Sequence, residues 1–229
     1  MKQQNTSLRK LAALSLVGLG LLSTSCKSLI SKSDDYAQPA HRPQNPGNVV
    51  VKVSLSKQMV YVMEGKTPLF VTATCVGTKE HPTPKGRFTV TNKIKEKRSG
   101  TYGFAINNKT KDARPAKSSW VKGGEHYVGH PMPNWIEFCP GYGFHTEWVW
   151  PVPRSHGCLR VHRNDSCKLW ELTRIGTPVI IADSFPEDDT IGKNVPHPGP
   201  EHYNTPEPAA DVFISPNFFK GQPTAKFVD

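Results

Sequence analysis

Residues 49–66 read VVVKVSLSKQMVYVMEGK. Val51, Val53 and Leu55 alternate with Lys52 and Ser54, which puts the three apolar side chains on one side of an extended segment. Met59 to Met63 is a second run, built around the strand formers Val60, Tyr61 and Val62, and Glu64-Gly65-Lys66 is a turn signal that ends it. Working outward, Leu69 to Gly77 reads as a third strand. Pro82-Thr83-Pro84-Lys85-Gly86 is a loop, and Arg87 to Lys93 returns as a strand. Gly103 to Asn107 and Trp135 to Phe138 are short further strands, and Pro178 to Ala182 is the last. One helix is predicted, Asp165 to Ile175, with Leu169 and Leu172 as its apolar residues, Asn164 or Asp165 as N-cap and Gly176 as its stop. The expected class is mainly β with one or two short helices, in a compact domain over residues 48–183.

Composition agrees with that class. The chain has 229 residues, long enough to bury a core without disulfide staples. A mean hydropathy of −0.49 excludes a polytopic membrane protein. Pro at 21 and Gly at 18 favour turns over long helices. No internal repeat is visible.

The first 26 residues read as an export signal. Lys2, Arg9 and Lys10 form a basic start, and Leu11 to Leu22 is an apolar run too short to span a bilayer comfortably. Ser23-Thr24-Ser25 are small and Cys26 follows at once, which is similar to a bacterial lipoprotein signal whose Cys becomes the lipidated N-terminus. Residues 27–47 are polar and read as a tether. The expected location is the cell envelope, on its periplasmic face, anchored in the membrane through Cys26. Beyond residue 25 the chain keeps 26 basic and 19 acidic residues, a net +7. An anionic membrane surface and an acidic wall polymer are the partners this charge suits. No nucleic-acid motif is present, so no nucleic acid is expected. From Ser184 onward 8 of 46 residues are Pro, a Pro-rich extension over 184–229. Val212, Phe213, Ile214, Phe218 and Phe219 make part of it too apolar for a simple linker.

Apart from Cys26, the cysteines are Cys75, Cys139, Cys158 and Cys167. Outside the cytoplasm they can form disulfides, although their spacing makes no tight framework. Cys139 and Cys167 read as structural, paired with each other or with Cys75. A thiol kept free needs a reason, and catalysis is one.

The stretch that carries chemistry is residues 143–161, GFHTEWVWPVPRSHGCLRV. It brings His145, His156 and Cys158 close in sequence. At an ordinary pKa near 8.5 only about 3% of a Cys is thiolate at pH 7. A positioned imidazole that lowers the value to roughly 6 makes most of it thiolate, and can later protonate a leaving amine. Gly157, just before the nucleophile, allows close backbone approach, and N–H groups at such a turn can stabilise an oxyanion. A metal site drawn from His145, His156, Cys158, His162 and Cys139 is the competing reading, but no close Cys-x-x-Cys pair supports it. A wall-binding anchor without catalysis is a third. His126, His130 and His162 read as loop or surface histidines, with His130 beside Pro131 a candidate to line the cleft.

Ser155-His156-Gly157-Cys158-Leu159-Arg160, with His145 upstream, resembles the L,D-transpeptidase (YkuD-like) family. Thr83-Pro84-Lys85-Gly86-Arg87-Phe88, Met132-Pro133-Asn134-Trp135 and Thr177-Pro178-Val179 are similar to further segments of that family, in the same order. The resemblance covers about residues 48–183. Together with the strand-rich pattern it implies a β-sandwich with a cleft at the Cys. It implies Cys158 as nucleophile and His145 as general base and acid, oriented by the carbonyl of Thr146. Ser155, His156 and Gly157 are then supporting groups around the nucleophile. Arg160 is placed to meet a substrate carboxylate. Thr146 stands where many members have Gly, and only nine residues separate His145 from Ser155. That loop holds Trp148 and Trp150, expected as an aromatic wall of the cleft. The implied activity is acyl transfer on peptidoglycan stem peptides through a Cys thioester, with an amine or water as acceptor. Some relatives attach a lipoprotein to the wall, so a wall-attached lipoprotein is a further implied partner. No metal or cofactor is expected, and carbapenem-type β-lactams are expected inhibitors.

Overall fold

The computed structural model of the chain describes residues 36–199 and 209–228. The signal over 1–26, including Cys26, and residues 27–35 of the tether lie outside the described residues. The strands, in chain order, are β1 (Val49–Ser54), β2 (Met59–Glu64), β3 (Thr67–Cys75), β4 (Gly86–Thr89), β5 (Asn92–Asn107), β6 (Ala113–Lys117), β7 (Glu125–Cys139), β8 (Tyr142–Thr146), β9 (Leu159–Val161) and β10 (Pro178–Ala182). Two α-helices are described, α1 (Arg163–Leu172) and α2 (Ala210–Ile214). The strands run in the order β4-β10-β1-β2-β3-β9-β8-β7-β5-β6. Pairing is antiparallel except for β1 with β10 and β8 with β9.

β2 and β3 are buried on both faces, and their period-2 alternation divides the core. Val60, Val62 and Phe70 join Val51, Val53, Val179 and Ile181 in one cluster, which also holds Ile136, Phe138 and Phe144 from β7 and β8. The two halves of the strand array therefore close on one another as a β-sandwich. Leu55 packs on the rim of this cluster, just past the end of β1. Met59, Tyr61, Met63, Val71, Ala73 and Cys75 face the opposite way and pack with Val149, Trp150 and Val195.

The short strands expected at 103–107 and 135–138 are parts of β5 and β7, of 16 and 15 residues. The polar, Lys-rich sequence of β5 and the prolines of β7 hide the length, because the two strands are held by mutual pairing from Asn92↔Glu137 to Asn107↔Glu125, and β5 has little buried face of its own. Pro131 and Pro133 sit in β7 opposite Arg98 and Glu96, close to where the register shifts between Arg98 and Gly103. β6, β8 and β9 were not expected either, being short and poor in alternating apolar residues.

The helix begins and ends earlier than expected. His162 takes the N-cap position, so Asn164 and Asp165 lie inside α1. Lys93 Nζ donates to Trp170 O and Thr173 O, both at 2.6 Å, and Thr173 is already extended. A cation on the last carbonyls closes the helix before Ile175. Gly176, with φ of +90°, belongs to the following turn.

Cys75, Cys139, Cys158 and Cys167 are all free thiols, so the expected pairing of Cys139 and Cys167 is not formed. Cys75 faces the second core cluster, while Cys167 is buried on α1 with its thiol 3.1 Å from Asn164 O.

Both ends of the described chain pack on the sandwich. Tyr36 to His41 runs beside β3 through Gln38 N–H to Val71 O, His41 N–H to Leu69 O and Ala73 N–H to Tyr36 O. In the extension, Phe213 is buried, and Val228 N–H donates to Ala40 O. Among the described residues no helix is long and apolar enough to cross a membrane.

Candidate active site

The Ser155–Cys158 loop is folded by one hydroxyl. Ser155 Oγ donates to Cys158 O at 2.6 Å and accepts from Gly157 N–H at 3.0 Å. The Gly157 N–H is thus engaged in the loop and is not the donor an oxyanion would use. Ser155 is buried and is tied to the end of β3 by its N–H to Val76 O at 3.1 Å. The Thr83-Pro84 segment braces the same turn. Thr83 Oγ1 donates to Gly157 O at 2.9 Å and accepts from Gly77 N–H at 3.0 Å. Gly157 has φ of +103°, and a Cβ there would lie 2.5 Å from Tyr142 Cε1. Only glycine fits this backbone.

The loop delivers Cys158 one residue ahead of β9. In the parallel β8–β9 register His145 lies opposite Arg160, so alternation puts Cys158, Arg160 and His145 on one side of the two strands. Cys158 Sγ points to Gly141 O at 3.7 Å. Burial pushes its pKa up, opposed by a backbone hydrogen bond at Gly143 and by the charges of Arg160 and Lys97. His145 is buried, 4% exposed. Its Nδ1 lies 3.1 Å from Thr146 O, the tautomer-setting contact in which Nδ1–H donates and Nε2 is left unprotonated. Burial pushes its pKa down to about 4, opposed by Glu147 and reinforced by Arg160 and His130. The expectation of a thiol lowered by its imidazole is therefore corrected. Burial disfavours the ion at each group, in half-buried Cys158 as in fully buried His145, so each rests neutral.

Thr146 also contributes its side chain. Its Oγ1 is 2.6 Å from Ser166 Oγ and accepts from Asn134 Nδ2 at 3.2 Å, and Asn134 Nδ2 also reaches Ser166 Oγ at 3.1 Å. This network pins the end of β8 to the first turn of α1. A Gly at 146 would have no hydroxyl to give it. Asn134 and Ser166 were not singled out from sequence as site residues, since nothing local marks a hydroxyl as a distant anchor.

Charge gathers around the pair. Glu147 follows Thr146 and its side chain is only 7% exposed. Its carboxylate is in close contact with His130 Nε2. Burial works against the Glu147 carboxylate, but the His130 hydrogen bond and the charges of His130, Arg160 and His145 hold it below its usual range. Glu147 was not expected at the site; its partner His130 comes from β7, seventeen residues away in sequence.

The aromatic wall divides in two. Trp148 is 48% exposed, as a wall residue can be. Trp150 is 3% exposed and packs in the second core cluster. It offers its ring to Arg154 and Arg160, at 4.7 and 5.2 Å from their guanidinium carbons. Its expected substrate contact is corrected to a buried platform under two cations, one of them Arg160. His156 is exposed and stacks on Tyr102 of β5, with ring centroids 4.8 Å apart, and approaches His81 at 4.7 Å. Among the described residues no group of three or more His, Cys, Asp and Glu is placed to hold a metal ion. The set His145, His156, Cys158, His162 and Cys139 is not brought together as ligands.

Residues 48–181 match the family described as YkuD, L,D-transpeptidase catalytic domain. The chain belongs to this family. The L,D-transpeptidase catalytic domain thus contains the whole constellation from Thr83 to Arg160. No curated protein matches the chain. Solved structures similar to it include an L,D-transpeptidase from Stackebrandtia nassauensis, 23% identical over 70% of this chain and 63% of the other, with a TM-score of 0.44. Another, from Xylanimonas cellulosilytica, is 22% identical over 62% of this chain and 63% of the other, at 0.45. The catalytic domain of the E. faecium L,D-transpeptidase is 23% identical over 59% of this chain and 98% of that domain, at 0.41. The chain thus spans less than two thirds of the first of these relatives. In this L,D-transpeptidase domain the matched span ends at β10, and α2 with its flanking residues lies beyond it.

Proposed function

We propose that the protein is a peptidoglycan L,D-transpeptidase that works through a thioester on Cys158. Cys158 Sγ attacks the carbonyl of the third stem residue, and the C–N bond to the terminal D-Ala breaks. The thiol proton passes to His145 Nε2 and on to the departing amine. An amine of a second stem, or of a protein to be joined to the wall, then displaces Sγ and restores the thiol.

The observation that carries this reading is the placement of Cys158 and His145 on one face, with Lys97 and Arg160 close enough to act on the thiol. Because the resting pair is neutral, the proton leaves sulfur as the S–C bond forms rather than beforehand. Two cations beside a thiol suit a substrate that brings carboxylates. The sequence of residues 1–26 supports placing this chemistry on the periplasmic side of an envelope membrane, with Cys26 as lipid anchor.

The test is to incubate the full chain with disaccharide-tetrapeptides and read products by mass spectrometry, beside Cys158→Ala. Dimers with a 3–3 linkage that vanish in the variant are expected. Tripeptides alone would make the protein an L,D-carboxypeptidase with the same nucleophile. No Cys158-dependent product with either stem-peptide or protein acceptors would overturn the reading.

A further inference from the structure

Beside the catalytic face lies a pair that the thioester route does not use. His130 of β7 and Glu147, the first residue after β8, are in close contact through Nε2 and Oε2. The Glu147 backbone is fixed by its N–H to Val161 O at 3.1 Å, and its Oε1 accepts from Trp148 N–H at 3.0 Å. A buried carboxylate two residues from a buried imidazole is a costly arrangement unless it is satisfied and does something.

The C-terminal extension holds this pair from behind. The Phe213 ring of α2 lies 4.5 Å from the His130 ring and 5.9 Å from that of Phe104. Arg98 of β5 donates to Gly129 O, Phe213 O and Ser215 O, at 2.9, 2.9 and 3.0 Å. It thereby clamps the extension to β7 one residue before His130. The contacts form an unbroken series: α2, His130, Glu147, then the β8 end that carries His145 and Thr146.

We propose that Glu147 and His130 are positioning residues for the base, and that the segment around Phe213 is their seat, which makes the C-terminal extension part of the catalytic unit. The inference rests on the functional reading above. Glu147 stands to His145 as a carboxylate stands to a catalytic imidazole elsewhere, but through space, because Thr146 O already occupies Nδ1. Its negative charge favours the imidazolium that forms when Cys158 gives up its proton. His130 tempers that charge and keeps the carboxylate oriented. The titratable and charged groups acting on His145 are Glu147, Arg160 and His130, and those acting on Glu147 are His130, Arg160 and His145.

The pair therefore acts on His145 with opposite signs, which a merely structural role would not do. The experiment follows the His145 Cε1–H resonance against pH in the full chain, with His145→Gln to assign it, and measures kcat and KM alongside. Glu147→Gln is expected to lower the His145 midpoint and cut kcat at least tenfold with KM little changed. His130→Gln, which keeps a donor for Glu147, is expected to raise the midpoint. Phe213→Ala, which removes the buried ring of the extension from His130, is expected to lower kcat severalfold at unchanged KM. Midpoints that do not move in folded Glu147→Gln and His130→Gln, or that move in the same direction, overturn the proposal. If Glu147→Gln fails to fold, an unmoved midpoint in His130→Gln together with full turnover in Phe213→Ala overturns it. The resonance needs no substrate, so a wild-type chain without turnover would sink the functional reading and leave this test standing.

Discussion

On the nucleophile side, Cys158 is carried by a turn whose every support is mechanical: the Ser155 hydroxyl, the Thr83 hydroxyl, and a glycine that tolerates Tyr142 at its back. On the base side, His145 is set by charge and burial: Glu147, His130 and Arg160 around a ring that is nearly sealed from water. The two halves of the proposed catalytic pair are thus built differently. Damage to the first should misplace the thiol at every pH. Damage to the second should change how the site responds to pH while leaving its shape nearly intact. The predictions below break or sharpen that contrast.

The largest effect is expected from Gly157→Ala. A methyl group 2.5 Å from Tyr142 Cε1, on a backbone at φ +103°, must shift the loop. A displacement of about 1 Å at a reacting centre costs on the order of 10²-fold. The expected result is a loss of kcat of at least that size, with an unchanged pH profile. A pH–rate curve that changed shape would show that the loop also tunes the thiol.

Next is acid stability. His145 titrates at about 4 in the fold, against a reference of 6.5. Between those values the unfolded chain binds more protons, so stability falls as pH drops from about 6.5 to about 4. The shift corresponds to a loss on the order of 3 kcal/mol. Glu147, whose carboxyl is held low in the fold, adds to the loss in the same direction. Urea midpoints at pH 7 and pH 4 measure it, and His145→Gln should flatten the slope. An equal slope in that variant would move the acid sensitivity elsewhere.

Ser155→Ala should come third. It removes one donor and one acceptor from the loop, at about 1–2 kcal/mol of stability and roughly tenfold in kcat. Thermal unfolding and kcat across pH check it, and no displacement of the pH profile is expected. The smallest effect is expected from Trp148→Ala, on the exposed loop between the two sides. Stability should change by less than about 0.5 kcal/mol, and any loss should fall on KM alone. A change in kcat would show that the exposed ring also shapes the base side.

The readings that held were those with a local physical signature. Val51 and Val53 alternate and were placed on one side of a strand, and they share one buried face; the run Met59 to Met63 was read as a strand and is β2. Pro178 to Ala182 was a strand because a short apolar run after Gly176 can be little else. Ser-His-Gly-Cys was legible because a thiol beside a glycine and two histidines has few structural excuses.

What failed had causes distant in sequence. β5 and β7 are long because each is the other's partner, which no single window of sequence reveals. The helix stops early because Lys93, about eighty residues upstream, reaches its carbonyls. Trp150 looked like a wall because tryptophan beside proline in a loop usually is one, yet the second core layer claims it.

By itself the sequence determined the strand class and the Ser-His-Gly-Cys segment with its upstream His, because period, residue chemistry and spacing are written along the chain. Only the tertiary structure decided that the thiol and imidazole rest neutral, that Glu147 and His130 stand beside them, and that the extension is packed against that pair. Burial and charge are sums over neighbours, and β7, β8, β9 and α2 become neighbours only when the sandwich closes.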